Sequence, residues 1–591
     1  MVCQAPLKEL RKDPLRPAIV LWIARVDLAT PIDTRTNAAK LSSKVSNKEY
    51  IMSKISQYLN EHLTGDVTTA DATRYTYATD GSMLAAVPDL VVYPSVTDDI
   101  RKLARFTYQL AQKGHILPMS PRGSGLNQTG AAISDGIIID TPTHMNRVFE
   151  FDQKQRLVRV QPGATLGAIN AALQLHGFHI PYEGVPAAAT IGGAIASNTH
   201  TYHGTYIGDS VAELEVVLAN GDIMQTKRLS RRELSSKKGL QTMEGAIYRA
   251  IDTLLDDSQS TIKTIAASRV PANAGYPGIA QVRRRGMFDL TPLFIGSQGT
   301  LGIVSEMILE ADLYNEDLLT FAVLVESYDD MVRVINTILE HQPESLHIVD
   351  SRLAKLAYKA GRRHAVVAPH IERGDAFAAV LVGAFGDFSE RTRQRKVKKL
   401  FKDIDRYSAD RMVAEDLDEA RKLRSIENDL YATCQIAPKA SPISPLFSGV
   451  YIPPRRVTDF LASIQKLTQH YRVALPFTAS AISSIYSFWP SLPVRSTQDK
   501  QALFKLYDAF SALVIAHGGS VTAGEAEGRL KAPFVVKEDD AGTQALYQAI
   551  RQIFDPHGTL NAGVKNGFEL RDVAKYLRLP NGAAGPIIRP Q

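Results

Sequence analysis

One loop restricts this chain more than any other stretch: Ser120-Pro-Arg-Gly-Ser-Gly-Leu-Asn-Gln-Thr-Gly-Ala-Ala132. Its glycines at 123, 125 and 130 let the backbone turn tightly and point successive N–H groups into one concavity. Such a nest holds phosphate oxygens without charged side chains. Arg122 adds a cation, and Ser124, Asn127, Gln128 and Thr129 add side-chain donors. The set suits the pyrophosphate of a dinucleotide. Two familiar phosphate loops do not fit. Gly125-x-x-x-x-Gly130 imitates a P-loop, but Ala131 and Ala132 stand where Lys and Ser/Thr are required. Gly123-x-Gly125 lacks the third glycine of a Rossmann fingerprint and lies too far from a helix start. Alone, the loop is equally compatible with a surface turn, so its surroundings decide.

Around it the pattern is strand, helix, strand. Leu90–Tyr93 is a short β-branched and aromatic run closed by Pro94. Asp98 and Asp99 can cap a helix carrying Ile100, Leu103, Phe106 and Leu110 at helical spacing. Gly114 ends it, and Ile137–Ile139 reads as a buried strand. Leu157–Val160 starts another strand, Thr165–His176 a helix, and a second glycine-rich tract spans Gly184–Asn198. Leu214–Ala219 and Ile303–Leu309 continue as strands. Beyond about residue 312, strand-like runs (Leu319–Val325, Ala379–Ala384, Phe447–Ile452) alternate with amphipathic helices (Asp329–His341, Ser389–Arg406, Val457–Tyr471), the mark of an α+β domain with an antiparallel sheet.

At 591 residues the chain exceeds one compact core. A net charge of +6 is too weak a bias for a nucleic-acid partner. The two cysteines, Cys3 and Cys434, cannot build a disulfide framework, a CxxC metal site or an iron–sulfur motif, which points to a reducing, cytoplasmic setting. No run approaches the ~18 apolar residues of a membrane span. The cationic helix at Arg391–Lys402 reads as a solvated face, with peripheral contact to an anionic membrane as the sharper alternative. Lys227–Lys238 reads as a surface loop. Met52 opens a helix-like run, so residues 1–51 read as an extension outside the fold.

Several motifs, in order over most of residues 60–311, resemble the FAD-binding domain of the vanillyl-alcohol oxidase/p-cresol methylhydroxylase (PCMH) superfamily, with closer likeness to its D-lactate/glycolate dehydrogenase branch. They are Pro88–Pro94, Pro121–Ala132, Val160-Gln-Pro-Gly163, Thr190-Ile-Gly-Gly-Ala-Ile-Ala-Ser-Asn198, Arg269–Tyr276 and Leu293–Glu306, where Gln298 replaces the usual Glu. Phe554–Gly563 resembles the closing segment that returns to the flavin domain. The resemblance implies an α+β protein: a two-subdomain FAD-binding domain at 52–312, a cap domain with an antiparallel sheet at 313–545, and a returning segment at 546–591. It implies that Pro121, Arg122, Gly123, Ser124, Gly125, Asn127, Gln128 and Thr129 hold the pyrophosphate. Pro186, Gly192, Gly193 and Asn198 would line the isoalloxazine and ribityl region, Ile303 would touch the adenine end through its backbone, and Asn561 would approach the flavin. The usual attachment positions carry no His or Cys, so the FAD is expected to be noncovalent.

The catalytic half departs from that pattern. The branch builds a metal site from a His-containing, glycine-rich strand–turn and a Glu-His-Gly motif. Here Leu475–Trp489 contains no histidine, and the second motif reads Gly524-Glu525-Ala526-Glu527-Gly528. Glu427 stands where the family's arginine is expected. A divalent site needs several converging N or O ligands, so no metal is expected. His200 and His203 read as loop residues near the cofactor. The candidates facing the flavin ring are Glu525, Arg529 and Tyr486, with Tyr451 beside them. The expected reaction is metal-independent hydride transfer from the CH–OH group of a small hydroxy acid, sugar or alcohol to flavin N5, with oxygen, a quinone or a protein as final acceptor. The alternative is a flavin-binding subunit or redox partner whose hydroxyacid activity has decayed.

Overall fold

The computed structural model describes residues 37–577 apart from 316, 388, 425, 427–429, 431–445, 493–495 and 566–568, with side chains from residue 48 onward. Cys3, Cys434 and Glu427 lie outside the described residues. The first helix, α1 (Asn37–His62), begins well before Met52. No Gly or Pro interrupts it, so nothing breaks it where the sequence reading opened it. The larger of two compact units, Lys54–Arg589, holds every later element.

The first sheet is built from β1 (Asp66–Thr68), β2 (Leu90–Tyr93), β3 (Met119–Arg122) and β4 (Ile137–Asp140), in the order β1-β2-β4-β3. Both β2 and β3 run parallel to β4. Helix α2 (Thr97–Ala111) makes the crossover and buries the expected Ile100, Leu103, Phe106 and Leu110. Asp99 does more than cap it. Its buried carboxylate accepts from the N–H groups of Thr64, Gly65, Ser95 and Val96, tying the helix start to the ends of β1 and β2.

The second sheet is antiparallel. In chain order come β5 (Val148–Asp152), β6 (Leu157–Val160), α3 (Leu166–Gln174), α4 (Ile191–Ser197), β7 (Val211–Val217), β8 (Ile223–Thr226), α5 (Arg231–Lys238), α6 (Met243–Asp257) and β9 (Ile303–Glu310). The strand order is β5-β6-β9-β7-β8. Val158, Leu166, Ile169, Ile195, Leu214, Ile251 and Leu309 share its core. The run expected as a surface loop at Lys227–Lys238 instead ends in α5. Ser230 and Glu233 form a reciprocal capping box that starts the helix in spite of its charge density.

The third sheet comprises β10 (Leu319–Val325), α7 (Tyr328–Glu340), β11 (Ser345–Asp350), α8 (Ser351–Lys359), β12 (Ala379–Phe385), α9 (Glu390–Asp403), β13 (Asp410–Val413), α10 (Leu417–Arg424), β14 (Phe447–Tyr451), α11 (Val457–Tyr471), β15 (Phe477–Ser480), β16 (Ile485–Phe488) and α12 (Thr497–Ala516). Its seven strands run antiparallel in the order β13-β10-β12-β11-β15-β16-β14. Alternation along each strand separates two faces. Phe321, Leu346, Ile348, Leu381, Phe477, Tyr486 and Phe488 pack under α7, α9, α11 and α12. On the other face Ala322, Leu324, Val349 and Val380 meet Leu353 and Ala357 of α8 and Leu423 of α10. This is the expected α+β architecture. In α9, Arg393 donates to the Asp387 carbonyl and Lys396 pairs with the Asp387 carboxylate, so part of its cationic run is anchored inward. Helix α13 (Ala541–Phe554) puts Leu546, Ile550 and Phe554 into the core of the second sheet. The strand edge of β3 then receives the chain again, through Met119 N–H to Thr559 O and Asn561 N–H to Met119 O.

Candidate functional site

The loop that follows β3 lies beside the second glycine tract. Ser124 Oγ donates to Ala188 O, and Asn127 Nδ2 to Ser197 Oγ. A Cβ on Gly123 would lie 1.9 Å from Thr190 Oγ1, so only glycine permits this approach. Asn127 Oδ1 accepts from Thr129 N–H, Thr129 Oγ1 and Ala131 N–H, folding the loop on itself. Among the described residues, the N–H groups of Gly123, Ser124, Gly125, Leu126 and Asn127 have no protein acceptor. Gly123, Gly125 and Asn127 are half-buried, and half-buried backbone donors are normally satisfied, so an anionic group fits here. Pro121 packs against Gly299, where a Cβ would meet its ring at 2.4 Å, and Gln128 is half-buried next to Asn127.

Arg122 corrects an expectation. Its guanidinium turns inward and donates to Tyr77 O, Thr79 O and Ala132 O. Gly125, at φ +70°, passes so close that a Cβ would lie 2.3 Å from Arg122 Nη2. The cation is thus engaged by three protein carbonyls and stiffens the loop from beneath. In the second tract, Pro186 opens a turn closed by Ala189 N–H, and Gly192 donates to Pro162 O. Gly193 is exposed, with only Thr190 Oγ1 near its missing side chain. Asn198 caps α4 in the left-handed region at φ +48° and donates through Nδ2 to Asn273 Oδ1, while its own Oδ1 is buried without a partner. Free amides, a side-chain-free opening and an unpartnered amide oxygen together fit a dinucleotide with a polar ring system. Ile303 is fully buried in β9 opposite Val217.

The segment 524–531 crosses both loops. Ala526 N–H donates to Ser197 O, His200 N–H to Gly524 O, and the N–H groups of Arg529 and Leu530 to Thr129 O. Gln298, left-handed at φ +53°, locks the junction. Its Oε1 accepts from Gly528 N–H at 2.9 Å, and its Nε2 reaches Thr129 Oγ1 and Ala526 O. That donor-plus-acceptor duty explains an amide where the resemblance led one to expect a carboxylate. The substitution is visible in the sequence, but its role depends on contacts with residues more than 150 positions away. Asn561, at φ +40°, donates to Ala131 O and Gln298 O and accepts from Ser120 Oγ. It stitches the loop to the returning segment.

Arg529 does not face an open pocket. It is buried and donates to Gly130 O, Ala562 O and Asn561 Oδ1, bracing the same junction. Tyr486 also points elsewhere. Strand alternation turns it, with Phe488, into the helix-covered core against Phe477. Its neighbours Ile485 and Ser487 take the opposite face, where Ser487 Oγ accepts from Gly449 N–H. Tyr451 is half-buried and bridges to Ser520. Glu525 is held between the two parts. Ser448 Oγ donates to its carboxylate, Lys531 Nζ lies 3.5 Å from it, and the same Nζ donates to Ser448 O at 2.6 Å. Burial lowers the Lys531 pKa, opposed by Glu525. His200 and His203 engage different partners, Ser483 Oγ at 2.6 Å and Glu183 at 3.5 Å. Among the described residues, no cluster of three metal-ligating side chains forms and no helix is long and apolar enough to cross a membrane.

Comparison with known proteins agrees with this geometry. Residues 88–227 match the FAD binding domain family, and residues 315–564 match the C-terminal domain of FAD linked oxidases. The chain is 26% identical over 519 residues to the D-2-hydroxyglutarate dehydrogenase of Pseudomonas putida, covering 85% of this chain and 51% of that protein. It thus spans about half the length of the hydroxyglutarate dehydrogenases it matches. It is 25% identical to the glycolate oxidase subunit GlcD of Bacillus subtilis, covering 84% of this chain and 92% of that one. Among solved structures, 4-ethylphenol oxidase from Gulosibacter chungangensis superposes with a TM-score of 0.63 at 14% identity, over 91% of this chain and 99% of that one. p-Cresol methylhydroxylase with substrate bound does so at 0.63 and 16%, over 88% and 98%. An FAD binding domain and a C-terminal domain of the FAD linked oxidases thus follow one another in the order the motifs require, on the fold that p-cresol methylhydroxylase also has.

Proposed function

We propose that the chain oxidises the CH–OH group of a small molecule with noncovalently held FAD and no metal. Residues 52–312 and 546–591 would form the flavin part and 313–545 the cap, in the cytoplasmic setting that its two cysteines favour. The unbonded amides of Gly123–Asn127 would hold the pyrophosphate, and Gly192, Gly193 and Asn198 would border the ring. When bound, FAD supplies a hydride acceptor at N5, so that the alcohol carbon leaves as a carbonyl.

The chain's own residues supply the proton acceptor. Glu525 is our candidate, because segment 524–531 carries it across both flavin loops and Ser448 with Lys531 fixes its orientation. That docking is the observation that carries the reading. The substrate hydroxyl proton passes to a Glu525 oxygen as the C–H hydride leaves, which conserves charge and electrons. Gln298, Arg529 and Asn561 hold the base in register without touching substrate.

The test is anaerobic bleaching of the oxidised flavin by hydroxy acids, aldoses and alcohols. At least one compound should bleach the wild type. Glu525→Gln should keep its flavin and slow bleaching about 10²–10⁴-fold. A yellow wild type that no compound reduces, or an unimpaired E525Q, would overturn the reading.

A further inference from the structure

One end of the cap sheet's second face carries buried polar groups with nothing to bond. His347 on β11 is fully buried, and neither ring nitrogen has a partner. Its cross-strand neighbour on β15 is Ser480, whose Oγ is also unpartnered. Ser345, two residues before His347 and so on the same face, has a bare Oγ. Ser345 lies opposite Ala384, and Ala384 opposite Thr320, whose Oγ1 is bare as well. Cross-strand partners share a face, so four unsatisfied groups from three strands look the same way.

What they look toward comes from the flavin side. Tyr202, four residues past the end of the second flavin tract, stacks on His347 with ring centroids 4.8 Å apart and 14° between planes, and its hydroxyl is buried without a partner. The same loop reaches the β15–β16 turn through His200 and Ser483. The patch therefore closes the junction between cap and flavin parts. An apolar filling would leave every one of these groups unsatisfied.

Resting on the reading above, we propose that His347, Tyr202, Thr320, Ser345 and Ser480 form the substrate-recognition surface, and that they select a neutral, multiply hydroxylated substrate such as an aldose or polyol. Each group both donates and accepts, as hydroxyls on adjacent carbons do. The flanking charges oppose each other. Glu183 takes the Tyr202 N–H on its carbonyl and has a buried, unpartnered carboxylate oxygen, while Arg424 at the end of α10 is close enough to disfavour a cation at His347. His347 serves as a neutral hydrogen-bonding residue that sets specificity, distinct from the proton acceptor Glu525.

The FAD-loaded full chain is titrated anaerobically with D-glucose, xylitol, glycolate and D-lactate, following both the spectral shift of oxidised flavin and its bleaching. D-glucose or xylitol should perturb the flavin spectrum of the wild type. His347→Leu should weaken that perturbation about tenfold or more, while His347→Asn, which keeps one donor and one acceptor, should retain most of it. Tyr202→Phe should weaken it as well. If the sugars perturb the spectrum in a His347-dependent way but bleach nothing, the recognition surface stands and the hydride reading falls. If only glycolate or D-lactate act, if H347L binds the sugars as the wild type does, or if nothing perturbs the flavin, the recognition surface is overturned.

Discussion

Gly123 shows how little freedom single residues have at this site. Its missing side chain is the clearance for Thr190 Oγ1. Gly123→Ala should therefore separate the two flavin loops. The purified variant should show a much lower flavin-to-protein absorbance ratio, and adding Thr190→Ala should restore part of it by removing the colliding atom. Gln298 is constrained by chemistry. Replacing it with Glu removes two donated hydrogen bonds and puts a charge where a buried amide stood. We expect a loss of about 1–3 kcal/mol, read as a lower denaturation midpoint. These cases mark how far the loop was legible. Gly123 and Gly125 stand out in any reading of the chain because tight turns need them. The inward turn of Arg122 does not, because two of the carbonyls that hold it, Tyr77 and Thr79, lie more than forty positions away.

Among the elements, segments with a strong local signal end where their residue patterns say. Leu90–Tyr93, Leu157–Val160, Leu319–Val325 and Val457–Tyr471 are continuous apolar or amphipathic runs that formed as expected. The side taken by Tyr486 was not legible, since a one-residue change of hairpin register reverses every side chain. Nor was the tie between segment 524–531 and the returning chain. Glu527 and Lys565 form a 2.9 Å pair, almost wholly buried, in which Lys565 also donates to Asn273 O and Gly275 O and Glu527 accepts from Gly275 N–H. Lys565→Met would strand a buried carboxylate and should cost about 3–5 kcal/mol in denaturant unfolding. A Glu527→Leu, Lys565→Met pair should recover much of that, because the desolvated charge is gone from both sides. A single variant as stable as the wild type would mean that the pair is not buried in solution.

At the scale of the whole molecule, two histidines join the cap to the flavin part, and both are held neutral. Burial pushes His200 down to about 3. Burial, helped by the charge of Arg424, does the same to His347, also to about 3. Unfolded histidine titrates near 6.5. Between about pH 6.5 and pH 3 the unfolded chain therefore binds protons that the native chain refuses, and stability must rise with pH across that window. Above it these two groups no longer contribute to the slope. Each adds at most about 1.4 kcal/mol per pH unit inside the window. His347→Asn should flatten the acid limb of a stability–pH curve by about that amount while leaving the plateau above pH 7 nearly level. Because the two rings lie where the cap meets the flavin loops, the same acid limb should coincide with release of FAD, followed as the rise of free-flavin fluorescence. Flavin release at a pH well above the loss of stability would show that the cofactor leaves by another route than opening of this junction.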